Sequence, residues 1–381
     1  MRDNWVETTL GQYIHINTGK LDVNAASKFG EYPFFTCSRE TYRIDEAAFE
    51  GESVLVAGNG DLNVKYYDGK FNAYQRTYVL NSVDKKTLDN RFLFLYMQTY
   101  VEYLRSETRG TVIQYLKKGQ FTNAKIKLPP MPEQKRIVDL ISSVDSYIEA
   151  LQQQLESAKR SRNALLHKIF HIDGSNWKLK KLVDCTQKIS DGSHNPPKGI
   201  GESDFLMLSS KDIWDGYLTN LDPRFLQQSD FELENKRTQL EIGDVLLTVV
   251  GTIGRCAVYR GYPKNVTFQR SVCVIKTSKD VLNESFLMLY LQSIQSFLDQ
   301  NARGVAQRGI YLNQIRDLEI PIPSLNEQFE VVSNIDVFDT FIQETQKVVA
   351  QTQKFRVAIL SDLLSGTHEI PASYDKVIGA A

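Results

Sequence analysis

Phe92-Leu93-Phe94-Leu95-Tyr96-Met97-Gln98 is written a second time as Phe286-Leu287-Met288-Leu289-Tyr290-Leu291-Gln292, at an offset of 286 − 92 = 194. The same offset relates Gln75-Arg76 to Gln269-Arg270, Arg109-Gly110 to Arg303-Gly304, Pro129 to Pro323 and Glu133-Gln134 to Glu327-Gln328. An offset held over that length marks an internal repeat of one supersecondary unit. Upstream the match continues with gaps: Trp5 with Trp177 (offset 172), Gly19 with Gly192 (173) and Gly51-Glu52 with Gly243-Asp244 (192). The second copy therefore carries 192 − 173 = 19 extra residues between Gly192 and Gly243. Each copy has a variable front and a constant rear.

The fronts read as mixed α/β. Short β-rich runs at 53–57, 75–80, 244–250 and 270–275 are punctuated by Gly and Asn. Helical spacing of apolar residues appears at about 88–105 and 283–301. The rears follow prolines and read as long helices. In the first, Ile137, Ile141, Val144, Ile148, Leu151, Leu155, Ala158, Leu165 and Ile169 alternate by four and three, with Arg162 filling the gap. That is a heptad seam. The second has Val331, Ile335, Phe338, Ile342, Val349, Ile359 and Leu363, interrupted by Thr345, Thr352 and Arg356. About 39 residues make a helix of roughly 58 Å. A lone helix of this kind leaves its seam in water, so the two are expected to pack together as an antiparallel coiled coil. A two-fold axis near residues 153 and 347 would set Arg162 beside Asp339 and Arg356 beside Asp145; the two arginines are 194 apart, and so are the two aspartates. A partly buried guanidinium needs such a carboxylate.

The reading is an α/β (mixed α+β) fold with two similar domains related by pseudo-two-fold symmetry and joined by the two helices. The expected boundaries are 1–130 and 171–323 for the domains, 131–170 and 324–364 for the helices, and 365–381 for a C-terminal tail.

Composition bounds the function. The chain has 381 residues, a 42% hydrophobic fraction and 24% charged residues, as ordinary globular proteins do. No apolar run approaches the ~18 residues of a membrane span, and no apolar core follows the first charges as in a signal peptide. Cys37, Cys185, Cys256 and Cys273 are scattered without a CxxC, which suits a reducing cytoplasm rather than a disulfide scaffold or zinc site. Net charge is −1, but the balance is uneven: 17 Lys+Arg against 15 Asp+Glu in residues 1–130, 18 against 18 in 171–323, and 4 against 8 in 324–381. A basic surface, if there is one, must come from folding.

No catalytic constellation is present: no GxxxxGK[ST], HExxH or GxSxG, and no metal-ligand spacing among the five histidines. Two fragments hint at a methyltransferase. Asn195-Pro196-Pro197-Lys198 resembles the motif that holds a flipped adenine, with Lys198 in place of the stacking aromatic. Gly58-Asn59-Gly60, after a strand, resembles a glycine loop for S-adenosylmethionine. A degenerate or single-chain DNA adenine methyltransferase is the alternative reading.

What remains suits DNA contact. Gln75-Arg76 and Gln269-Arg270 pair an amide with a guanidinium, groups that read purine edges or hold phosphates. Arg109 and Arg303 each precede a glycine and are followed by Gln114, Lys117 and Lys118, or by Gln307 and Arg308. Ser193 and His194 offer polar fingers on the Asp191-Gly192-Ser193-His194 turn, where the first copy has Asn17-Thr18-Gly19-Lys20. Gly251-Thr252-Ile253-Gly254-Arg255 is a glycine turn ending in a cation. Lys20 and Arg255 complete the candidate DNA-binding set.

At this point the chain resembles the specificity (S) subunit of type I restriction–modification systems. The resemblance rests on Leu128-Pro129-Pro130-Met131-Pro132-Glu133-Gln134 and Ile320-Pro321-Ile322-Pro323-Ser324-Leu325-Asn326-Glu327-Gln328 leading into long helices, on the Asp191–His194 turn, and on Gly243-Asp244-Val245-Leu246. It covers about residues 5–364. It implies two target-recognition domains, each reading one half of a split double-stranded DNA sequence, with the helices as spacer. It also implies that methylation subunits carrying S-adenosylmethionine dock on the chain. Restriction subunits with ATP and Mg would join through the complex. On this resemblance the chain itself is no enzyme and holds no cofactor or metal.

Overall fold

Val54, Leu55 and Val56 are all fully buried, yet they serve two different cores. Val54 and Val56 pack with Phe92, Leu93 and Leu95 of a helix, and Leu55 points the other way toward Phe35, Phe71 and Val79. Side chains alternate across a strand, so a strand covered on both faces reads as one unbroken apolar run. Val245-Leu246-Leu247 repeats this: Val245 and Leu247 join the helix side, and Leu246 joins Phe268, Val272 and Val274 on the other.

The structure is a computed structural model and describes residues 4–107, 115–304 and 308–378. The chain divides into two units. The first comprises residues 1–152 and 347–381, and the second is the continuous stretch 153–346.

In the first unit the main sheet is antiparallel, in the order Ile14–Thr18, Thr77–Ser82, Ser53–Ala57, Val64–Tyr67. A smaller sheet holds Tyr32–Phe35, parallel to Lys70–Ala73, with Thr41–Ile44 and Phe49–Glu50 at its edges. Helix Asn90–Glu107 closes one face, and Val6–Thr9 pairs with Lys125–Leu128.

In the second unit the main sheet runs Thr186–Asp191, Val272–Thr277, Val245–Thr248, Cys256–Val258. The smaller one has Leu206–Leu208 parallel to Val266–Phe268. The stretch expected to be helical over 283–301 is broken into Glu284–Ser293 and Gln295–Gln300. The residues added in this copy include a hairpin, Ile213–Trp214 with Tyr217–Leu218, and helix Gln228–Thr238.

Two helices of 41 residues, Met131–His171 and Leu325–Ser365, each supply one part to each unit. In both units they run antiparallel. In the first unit Arg356 meets Asp145, while Ile137 and Ile141, nearer the start of the first helix, share a core with Leu360 and Leu363, nearer the end of the second. In the second unit Arg162 meets Asp339 (2.5 Å), and Leu166 and Phe170 share a core with Val331 and Ile335. The two expected seam pairs are both formed, and their numbers sum alike: 145 + 356 = 501 and 162 + 339 = 501.

Each seam arginine has a second partner. Arg162 Nη2 donates to Gln292 Oε1 (2.8 Å) and Arg356 Nη2 to Gln98 Oε1 (3.1 Å). These glutamines close the repeated stretches 92–98 and 286–292, and they tie each front's helix to the seam.

The Glu-Gln pair that opens each long helix is also a joint. Gln134 Nε2 donates to Thr87 O and Pro129 O (2.9 Å each), and its Oε1 accepts from Asp89 N (2.9 Å). Gln328 does the same with Val281 O, Pro323 O and Asn283 N at 2.9, 3.0 and 2.8 Å. Both amides are wholly buried. Trp5 Nε1 donates to Glu133 Oε2 (2.9 Å).

Candidate nucleic-acid interface

A glycine at the end of the first strand of each main sheet sets the site. A Cβ on Gly19 would lie 1.7 Å from Ala73 O, and one on Gly192 would lie 2.1 Å from Phe268 O. Only glycine admits this close approach of two backbones. It presses the strand end onto the turn that precedes Thr77–Ser82 or Val272–Thr277.

The two turns are bonded alike. Gln75 N donates to Leu21 O (2.9 Å) and Thr77 N to Tyr74 O (2.8 Å). Arg270 N donates to Ser193 O (2.8 Å) and Val272 N to Gln269 O (3.0 Å). The structural offset here is 270 − 75 = 195, not 194. Gln75 therefore corresponds to Arg270, and Tyr74 to Gln269. The cause is one residue. From Ser82 to Asp89 the first copy takes seven steps, and from Thr277 to Asn283 the second takes six. The repeated Gln-Arg letters hid this shift. Gln75 and Arg76 also lie in the turn rather than in the strand expected at 75–80.

In the first unit Lys20, Gln75, Arg76, Lys117 and Lys118 are all exposed. Gln75 Nε2 reaches Asp22 Oδ2 (3.4 Å), and the Arg76 guanidinium lies 5.4 Å from the Tyr115 ring centre. Tyr115 bridges Asn59, and Leu116 N donates to Gly58 O (2.8 Å). These contacts bring Arg76, Tyr115 and Lys117 to the same end of the sheet. Arg109 and Gln114 lie outside the described residues, as does Gln307.

In the second unit His194, Arg270 and Arg303 line one cleft of about 220 Å³ together with Tyr311. Ser193 is not a finger. It is 5% exposed, and its N–H donates to Phe268 O (2.8 Å), so it belongs to the buried rung beneath the turn. His194 Nε2 meets Asp191 Oδ2 (2.7 Å), and Asp191 also receives the Arg237 guanidinium at its other oxygen. Gln269 is half-buried below Arg270. Arg255 lies apart from this cleft, its guanidinium 4.2 Å from the ring centre of Trp214. Arg308 Nη2 donates to Asp299 O (2.5 Å). The set expected from sequence thus splits: His194, Arg270 and Arg303 converge on one cleft, and Arg255 and Arg308 are not among its lining residues.

Asp22, Tyr115 and Tyr311 were not expected. Tyr311 caps helix Leu312–Arg316 where Lys117 caps Lys118–Thr122, both with a glutamine three residues on. That shared pattern was readable in the sequence.

The methyltransferase fragments have structural duties. Gly58 N donates to Arg76 O (2.8 Å), and a Cβ there would lie 2.4 Å from that same oxygen. Pro196 O and Pro197 O accept from Arg224 Nη1 at 3.4 and 2.8 Å. Burial pushes the Cys256 and Cys273 thiols up, which makes them inert packing groups. Among the described residues no group of His, Cys, Asp and Glu could hold a metal ion, and no helix is long and apolar enough to cross a membrane.

A family model described as the type I restriction modification DNA specificity domain matches residues 2–160 and 208–363. The specificity subunit of the type I restriction enzyme EcoDI of Escherichia coli is 39% identical over 167 residues, which span 43% of this chain and 37% of that one. The specificity subunit of the enzyme MjaVIII of Methanocaldococcus jannaschii is 23% identical, with 93% of this chain and 86% of that one covered. The crystal structure of a type I restriction–modification S subunit from M. genitalium superposes with a TM-score of 0.59 at 16% identity, covering 96% of this chain and 97% of that one.

Proposed function

This chain belongs to the type I restriction–modification DNA specificity family, and from that premise we propose that it is the DNA-recognition subunit of a type I complex, each front reading one half of a bipartite double-stranded target. Residues 1–130 and 171–323 are the recognition domains, 131–170 and 324–364 the spacer helices that also dock methylation subunits. The chain is not an enzyme. Methyl transfer with S-adenosylmethionine belongs to the methylation subunits, and ATP-dependent restriction to subunits that join the complex.

The observation that carries this reading is the doubled turn. One backbone device, a glycine tucked under a turn, presents different polar side chains in each unit on an otherwise matching frame. A scaffold that only organised partners would have no need to vary those tips. Sequencing the methylome of a host with and without this gene tests it. A split motif that disappears with the gene is the expected outcome, and an unchanged methylome overturns the reading. The spacer role has its own test. Removing four residues at matched heights from both helices shortens the rod by about one turn, ~5.4 Å. At ~3.4 Å per base pair the gap between half-sites should shrink by one or two base pairs.

A further inference from the structure

Gln75 and Arg270 occupy the same place in the two units, at the first corner of the turn pinned by Gly19 or Gly192. Both are exposed. Their surroundings differ in chemistry. In the first unit Asp22 receives one N–H of the Gln75 amide (3.4 Å) while its other oxygen accepts from Asn24 N (3.2 Å). That orients the amide. The second N–H and Oε1 remain as one donor beside one acceptor.

In the second unit the cleft at Arg270 holds two guanidinium groups, its own and that of Arg303, which donate hydrogen bonds and cannot accept them. Among the described lining residues the one carboxylate is Asp191, which has Arg237 on one oxygen and His194 on the other. A guanidinium can only donate, whereas the amide at the first unit's turn carries both a donor and an acceptor.

The major-groove edge of guanine presents two acceptors, N7 and O6, and that of adenine presents an acceptor and a donor, N7 and N6. We infer that Gln75 and Arg270 are the equivalent specificity-determining residues of the two units, Arg270 reading a guanine in one half-site and Gln75 an adenine in the other. The inference rests on the DNA-recognition reading above and adds to it which residue reads which base.

The test uses the full chain co-expressed with its methylation subunits and reads the methylated motif genome-wide. In Arg270→Gln, one G·C position of one half-site should lose its preference by about tenfold or more in favour of A·T, with the other half-site untouched. Gln75→Arg should shift one position in the opposite half from A·T toward G·C. Arg270→Lys keeps the charge and loses the planar fork, so it separates base reading from phosphate holding. Relaxed preference at that same position supports the inference. An unchanged motif in Arg270→Gln, or in Arg270→Lys if the glutamine variant methylates nothing, assigns Arg270 to phosphate and overturns it. So does loss of all methylation in both variants while the complex still assembles. If the unaltered chain directs no split motif at all, it is the recognition reading that fails.

Discussion

The joints of the two units are nearly superimposable in chemistry, and their turns are not. Gln134 and Gln328 bond the same three backbone groups, and Arg356 and Arg162 each hold an aspartate and a glutamine at matching positions. At the turns, Gly19-Lys20-Leu21-Asp22 stands where the other unit has Gly192-Ser193-His194, one residue shorter and with an imidazole in place of an acid. The difference separates frame from reader. A buried amide with three partners cannot change without leaving unpaired groups behind, whereas an exposed tip can.

The largest effect that would test this division is an exchange of fronts. Replacing residues 1–128 by another front of the same kind should rewrite one whole half of the methylated motif and leave the other intact. Changes in both halves would break the division. Next come the buried amides. Gln134→Leu and Gln328→Leu should each destabilise their own unit by about 3 kcal/mol, because a backbone N–H and two carbonyls lose their partner. Hydrogen exchange resolved by unit measures both, and unequal costs would show that the joints are less alike than their bonds.

The seam pairs sharpen the comparison further. Asp339 is 31% exposed at its side chain and Asp145 is 44% exposed, with their arginines at 14% and 16%. Double-mutant cycles should give a coupling of about 1–2 kcal/mol for Arg162–Asp339 and a smaller one for Arg356–Asp145. Equal couplings would mean that exposure does not set their strength.

The smallest expected effect is in acid. Burial holds Asp212, Asp215, Asp244 and Asp336 of the second unit above the usual carboxylate range. In the first unit Glu52 is lowered by Lys85, Asp61 by Arg39, Asp84 by the Lys86 backbone N–H and Asp375 by Arg136. The second unit also has lowered acids: Glu156 beside Lys159, Asp222 beside Lys211 and Glu327 bonded to Ser324. A lowered acid stabilises the fold above the usual range, and that contribution is lost as pH falls through its folded value. A raised acid stabilises the fold below the usual range, and that contribution is lost as pH rises through its folded value. Going from pH 7 to about pH 3, the first unit should therefore lose protection relative to the second. Hydrogen exchange corrected for intrinsic rates measures it, and the opposite order would show that other groups dominate.

The frame was legible in the sequence because it repeats at one offset. The two seam arginines are 194 apart on the heptad, and the two aspartates beside seam positions are 194 apart as well, so one antiparallel register pairs both. Gln98 and Gln292 were visible as letters of the repeat, but a lone amide on a helix carries no sign of its partner. The turns were harder. One extra residue before Asp89 moves the register, and the coincidence of Gln-Arg in both copies masked it. Ser193 was misread because a hydroxyl beside glycine looks exposed until the neighbouring strand is in place above it.

The division of the chain has a consequence in time. The second unit is one unbroken stretch, 153–346, but the first needs residues from 347 onward, among them Leu360, Leu363 and Ile370 of its core. During synthesis from the N-terminus, the front that is made first must wait for its own closing helix until the whole of the other unit has emerged. At ~5–20 residues per second the roughly 200 intervening residues take about 10–40 seconds. Over that interval Ile137 and Ile141 lack their partners from the second long helix. The unit that begins first is completed last, and a nascent chain stalled near residue 346 would hold one finished reader and one unfinished one.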